Sequence, residues 1–151
     1  MEDEEFDDDF DDGTDDEIDL APQRLRFFIG GYGGTSYHVC WLPDIQSLRV
    51  RSDSPDCNSP KEERFYNVSD SQWRVFWHML DSLSVWEWKA EYKIEACDGT
   101  SWNFDVINGS RRVNSEGSNA YPGEDPDCNP NAEFNVVLAA INMLCHRNDI
   151  S

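Results

Sequence analysis

Two apolar stripes of matching spacing constrain this chain more than any other feature. Trp73, Phe76, Trp77, Leu80 and Leu83 recur at i, i+3, i+4, i+7 and i+10, and Phe134, Val137, Leu138, Ile141 and Leu144 repeat that interval. Each stripe reads as one face of an amphipathic helix, and each needs an apolar cover. The first has its own start signals: Ser69 and Gln72 have capping-box spacing, with Val68 and Trp73 placed for a hydrophobic staple. For the second, Asn129 suits the cap and Pro130 the first helical position.

The cover is predicted from segments that alternate with period two. Leu25, Phe27 and Ile29 alternate with Arg24, Arg26 and Phe28; Tyr37, Val39 and Trp41 follow a glycine-rich turn, and Leu48 and Val50 alternate with Arg49 and Arg51. Phe65 and Tyr66 read as a short edge strand. Tyr92, Ile94 and Ala96, then Trp102, Phe104 and Val106, face one way in two further strands, and Asn108-Gly109 predicts a type I′ hairpin into a return strand through Val113. The fold class is α+β: an antiparallel sheet of about six or seven strands with both helices on one face.

The two halves echo one another. Gly34-Thr35-Ser36-Tyr37 matches Gly99-Thr100-Ser101-Trp102, and Pro55-Asp56-Cys57-Asn58 matches Pro126-Asp127-Cys128-Asn129, each of the latter preceding a helix. A βββα repeat is therefore expected, with chance similarity of short strings as the competing reading.

Charge sets the outer limits on function. The 151-residue chain carries 31 acids against 12 bases, a formal charge of −19, but residues 2–19 alone hold thirteen of those acids and no base. Such a block repels itself and buries too little apolar surface to offset chain entropy, so residues 1–22 are expected to form a disordered acidic tail and residues 23–151 a single α+β domain. Net charge argues against direct contact with nucleic acid or an anionic membrane and for a basic protein partner. No apolar run is long enough to span a bilayer, and the acidic N-terminus is unlike a secretory signal, so a cytoplasmic location is expected.

At residues 86–122, Trp86-x-Trp88-Lys89-x-x-Tyr92, Asp98-Gly99-Thr100-x-Trp102-x-Phe104-x-Val106 and Gly117-Ser118-Asn119-Ala120-Tyr121-Pro122, followed by a helix opening with Phe134, resemble a widespread group of small uncharacterised bacterial proteins. The resemblance covers roughly the C-terminal two thirds, and the Gly-Ser-Asn-Ala-Tyr-Pro string is its most specific part. It implies a compact α+β domain with no catalytic residue to carry over; the acidic tail and the Gly123–Pro130 insertion depart from it. Read physically, the string suits a structural corner, with Gly117 supplying an unusual backbone conformation and Asn119 a side-chain cap. The alternative is a recognition loop presenting Asn119 and Tyr121 beside Trp86 and Trp88.

Enzyme chemistry finds little support. Cys40, Cys57, Cys97, Cys128 and Cys145 contain no C-x-x-C, and His38, His78 and His146 fall in different elements, so neither a nucleophilic pair nor a metal site is read and no cofactor is expected. The odd number of cysteines in a chain read as cytoplasmic points to reduced thiols, with Cys57 and Cys128, in matching loops, the only pair to test for a bridge. The glycine run 30–34 lacks the Lys-Ser/Thr ending of a phosphate loop. The expected function is a non-enzymatic acidic binding protein that neutralises a basic partner, an immunity-type inhibitor of a toxin or nuclease. Candidate partner-binding residues are Trp86, Trp88, Asn119 and Tyr121 in the body and Asp7, Asp8, Asp9, Asp11, Asp12, Asp15 and Asp16 in the tail. The alternative is a phage-style anti-defence protein whose tail mimics the phosphates of DNA.

Overall fold

In the computed structural model, which describes residues 20–31, 34–55, 61–93, 99–122 and 132–151, alternation and helical spacing become strands and helices almost segment for segment. The strands are β1 (Arg24–Gly31), β2 (Ser36–Leu42), β3 (Ser47–Asp53), β4 (Glu62–Tyr66), β5 (Glu91–Lys93), β6 (Thr100–Asn108) and β7 (Arg111–Ser118). Helix α1 (Asp70–Ser82) and a 3-10 turn (Val85–Glu87) lie between β4 and β5, and α2 (Ala132–Leu144) follows β7. All seven strands join one sheet in the order β4-β3-β2-β1-β6-β7-β5. Every pairing is antiparallel except that of β5 with β7.

One face of this sheet carries the apolar alternation and receives both helices. Leu25, Phe27 and Ile29 of β1, Val39 and Trp41 of β2, Leu48 and Val50 of β3, and Trp102, Phe104 and Val106 of β6 are buried with Trp73, Phe76, Trp77 and Leu80 of α1. Phe134, Val137, Ala140, Ile141 and Leu144 of α2 close the same core, so Ala140 takes the place expected for Leu138, which is half-buried. The Trp41 ring meets Trp73 edge-on at 5.2 Å, while Phe134 lies 4.9 Å from Trp102 and 6.5 Å from Phe27. α1 thus covers the β2 side and α2 the β1 and β6 side.

The capping box forms in full: the Ser69 N–H donates to Gln72 Oε1 at 2.9 Å and the Gln72 N–H to Ser69 Oγ at 3.2 Å. Gln72 Nε2 also donates to the carbonyls of Met143 and Leu144 at 3.0 and 3.3 Å. The N-terminal cap of α1 therefore satisfies carbonyls at the end of α2, which have no partner inside their own helix. Beyond α2, Asn142 accepts the Ile150 N–H and donates to its carbonyl, and Arg147 reaches the Tyr66 hydroxyl at 2.9 Å, fastening the C-terminal residues to β4.

Four details differ from the sequence-based expectation. The β6–β7 turn is Gly109-Ser110, because Asn108 pairs with Arg111; Gly109 alone has positive φ, the type II′ pattern, instead of a type I′ Asn-Gly turn. β5 lies beyond β7 and runs parallel to it, with Tyr92 opposite Gly117, in a sheet expected to be antiparallel throughout. The first half has four strands before its helix and the second three, so the halves are not equal βββα units. The matched strings open β2 and β6, which flank β1 on its two sides. Ile94, Ala96, the Asn129-Pro130 cap, and Cys57, Cys97 and Cys128 lie outside the described residues, as do residues 1–19; residues 20–22, assigned to the tail from the sequence, instead belong to the folded part, where Leu20 and Ala21 pack against the core and Pro22 is buried. Among the described residues no helix is long and apolar enough to cross a membrane.

Candidate functional site

Two of the four body residues singled out from the sequence, Trp88 and Tyr121, converge on one ring. Trp102, near the start of β6, is buried, and Trp88, Tyr92 and Tyr121 surround it at centroid distances of 6.2, 6.0 and 6.4 Å. Its indole N–H donates to the Ala120 carbonyl at 2.8 Å, so the loop after β7 folds back over β6. Gly117 sits beneath this ring, where a Cβ would clash with the indole nitrogen and the Ala120 carbonyl. Space is therefore the reason for glycine here, and the left-handed conformation falls two residues later, at Asn119, with φ of 60°. Asn119 Oδ1 accepts the Thr100 N–H at 3.1 Å while the Asn119 N–H donates to the Thr100 carbonyl at 2.9 Å. Both groups close the β6–β7 end of the sheet.

Trp88 contributes to the same corner, its indole N–H reaching Glu133 Oε1 on α2 at 3.2 Å. Trp86 belongs elsewhere. Its indole donates to Asp81 Oδ1 at 2.8 Å, and the Arg111 guanidinium lies over the Trp86 and Trp77 rings at 5.2 and 5.8 Å while bonding both Asp81 oxygens at 2.6 and 2.8 Å. Arg111 begins β7 and Tyr121 follows its end, so these anchors stand about 20 Å apart along the strand. The body residues therefore form a corner around Trp102 and a separate cluster at Trp86, both tied by internal hydrogen bonds. Trp86, Trp88, Asn119 and Tyr121 each remain half-buried, leaving part of every side chain at the surface. Asp7, Asp8, Asp9, Asp11, Asp12, Asp15 and Asp16 lie outside the described residues.

The opposite face of the sheet is a surface the sequence reading did not single out. Neither helix covers it. Register places Asp105, Arg26, Cys40, Arg49 and Phe65 in one row across β6, β1, β2, β3 and β4, and Asn103, Phe28, His38, Arg51 and Glu63 in the next. Arg24 stands 3.1 Å from Asp105, and Glu63 is shared between Arg51 at 2.8 Å and Arg49 at 3.9 Å. The Phe28 and His38 rings pack at 4.6 Å, and Phe65 is 52% exposed. Burial and the neighbouring Arg51 charge hold the His38 pKa below its ordinary value. The signal for this face was present as arginines at the polar positions of β1 and β3; what brings them together is the pairing of both strands with β2.

Nucleophile chemistry has poor footing in the described residues. The Cys145 thiol is buried and its pKa is pushed up to about 12, so it stays protonated near neutral pH. Cys40 is half-buried and its thiol donates to the Trp41 carbonyl. Gly31 is needed for packing: a Cβ there would press on the Gly99 carbonyl where β1 meets β6. Among the described residues no three His, Cys, Asp or Glu side chains gather as a metal-binding set. Compared with models of known protein families and with curated proteins, the sequence matches none.

Proposed function

We propose that this chain is a non-enzymatic acidic binding protein that neutralises a basic protein partner, as an immunity-type inhibitor of a toxin or nuclease does. Segregation of charge carries the reading. Thirteen acids without a base occupy residues 2–19, and removing them leaves eighteen acids against 12 bases, about six negative charges on the rest. A concentrated charge of one sign accelerates encounter with an opposite surface, whereas short-range contacts set the lifetime of the complex. Trp86, half-buried beside Arg111 and Asp81, and Tyr121 at the other end of β7 offer aromatic contact area for that second task.

The reading is tested by binding kinetics against purified basic nucleases, comparing the full chain with one in which Asp7, Asp8, Asp9, Asp11 and Asp12 are replaced by Asn. Association should slow severalfold and lose salt dependence, with dissociation nearly unchanged. Loss of all binding, with competition between the unaltered chain and duplex DNA, would favour the anti-defence DNA mimic. Absence of inhibition of any basic nuclease or toxin by either chain would count against both.

A further inference from the structure

We infer that the open, arginine-bearing face of the sheet is the docking surface for residues 2–19 of the same chain. The face is cationic where three adjacent strands meet. Arg24 and Arg26 on β1 and Arg49 and Arg51 on β3 flank β2, whose outward residues His38 and Cys40 carry no carboxylate. Local acids neutralise it only in part: Asp105 pairs with Arg24, Glu63 serves both Arg51 and Arg49, Asp53 pairs with Lys61, and Glu116 lies opposite Asn103 at the β7 side. Among the described residues Arg26 and Arg112 have no ion-pair partner.

The occupant follows from charge, reach and side-chain type. Residues 2–19 supply thirteen carboxylates and no competing base, and they run directly into the described chain at Leu20. The Leu20 carbonyl accepts the Trp77 indole N–H at 2.6 Å, which anchors the segment on the helix side of the sheet, four residues before Arg24. Nineteen extended residues reach about 60 Å. Seven strands span about 29 Å from edge to edge, so rounding the end of β1 and crossing the face needs only part of that length. Tethering raises the local concentration of these acids to the order of millimolar, ahead of any free polyanion, which the chain's net charge also repels. Phe6 and Phe10 suit the aromatic surface offered by Phe28, His38 and exposed Phe65. A single-stranded nucleic acid would find the same guanidinium groups and rings, but it must compete with thirteen tethered acids. The inference concerns the chain alone and does not depend on the partner proposed above.

Amide NMR spectra of the full chain test it, recorded at about 0.01 M and about 1 M salt, where the screening length falls from roughly 30 Å to 3 Å. Amides of Arg26, Phe28, His38 and Arg51 should shift between the two, several times more than those of α2, and independently of protein concentration. The shifts should vanish both in the full chain with all thirteen acids of residues 2–19 changed to Asn or Gln and in the full chain with Arg26→Gln, Arg51→Gln and Arg112→Gln. Equal shifts in the tail-neutralised chain would overturn the inference. Concentration-dependent shifts would do so too, because the occupant would then be another copy's tail. A third overturning result is equal affinity of the unaltered and tail-neutralised chains for a single-stranded oligothymidylate at low salt, since the face would then be free in both.

Discussion

Asn119 concentrates two demands in one residue: a left-handed backbone, and an acceptor for the Thr100 N–H. Alanine fails both and should cost about 2–4 kcal/mol, from a lost buried acceptor and the left-handed penalty together. Glycine relieves the backbone and loses only the acceptor, so Asn119→Gly should be milder than Asn119→Ala by at least about 1 kcal/mol in urea unfolding. Equal losses would show that the φ of 60° carries no strain. His38 contributes a pH dependence whose sign follows from its depressed pKa. Between that depressed value and the unfolded 6.5, the unfolded chain binds more protons than the folded one, so this contribution is present above 6.5 and is lost as pH falls. His38→Gln should flatten the decline of the urea midpoint below 6.5; an unchanged decline would remove His38 as its source.

At the scale of elements, α1 and α2 are joined through a cap. The Ser69 hydroxyl accepts one N–H in the first turn, whereas Gln72 closes the box and also reaches the Met143 and Leu144 carbonyls. Ser69→Ala should therefore cost about 1 kcal/mol, the ordinary worth of an N-cap. Gln72→Ala should cost more, about 2 kcal/mol, because the Leu144 carbonyl of a second helix loses the Gln72 donor as well and the Met143 carbonyl keeps only the His146 N–H. Chemical denaturation of the two variants checks the order, and a reversed order would mean that the contacts to α2 contribute nothing. β5 shows how tertiary packing settles what alternation leaves open. Tyr92 lies against Trp102, the Ala90 carbonyl accepts the Glu116 N–H at 3.0 Å, and Ser115 Oγ donates to the Lys89 carbonyl at 2.5 Å. These contacts hold the strand outside β7, where it runs parallel.

For the whole molecule, the two halves of the sequence do not make two separable layers. β1 of the first half pairs with β6 of the second along its full length, and Phe134 touches Phe27, Trp102 and Tyr121 from both halves. Unfolding should accordingly be one cooperative transition, with tryptophan fluorescence and far-ultraviolet circular dichroism giving the same midpoint. Phe134→Ala should lower that midpoint for both probes together, by an amount equivalent to about 3–5 kcal/mol. Separate transitions for the two probes would show that the halves unfold independently.

The sequence by itself determined what depends on neighbours a few residues away. Stripe spacing specified both helices, Ser69 and Gln72 specified where α1 starts, and alternation specified which face of each strand is apolar, because these are local consequences of helical and strand geometry. Composition likewise separated the thirteen tail acids from the rest of the chain. Only the tertiary structure decided which strands are neighbours, since pairing depends on backbone bonds between segments distant in sequence that leave no mark on either alone. That pairing put β5 beyond β7, gathered Trp88 and Tyr121 around Trp102 while leaving Trp86 apart, and aligned Arg26 with Arg49 across Cys40. The arginine face was written in the polar positions of β1 and β3, but charge counted along a chain carries no information about which charges share a surface.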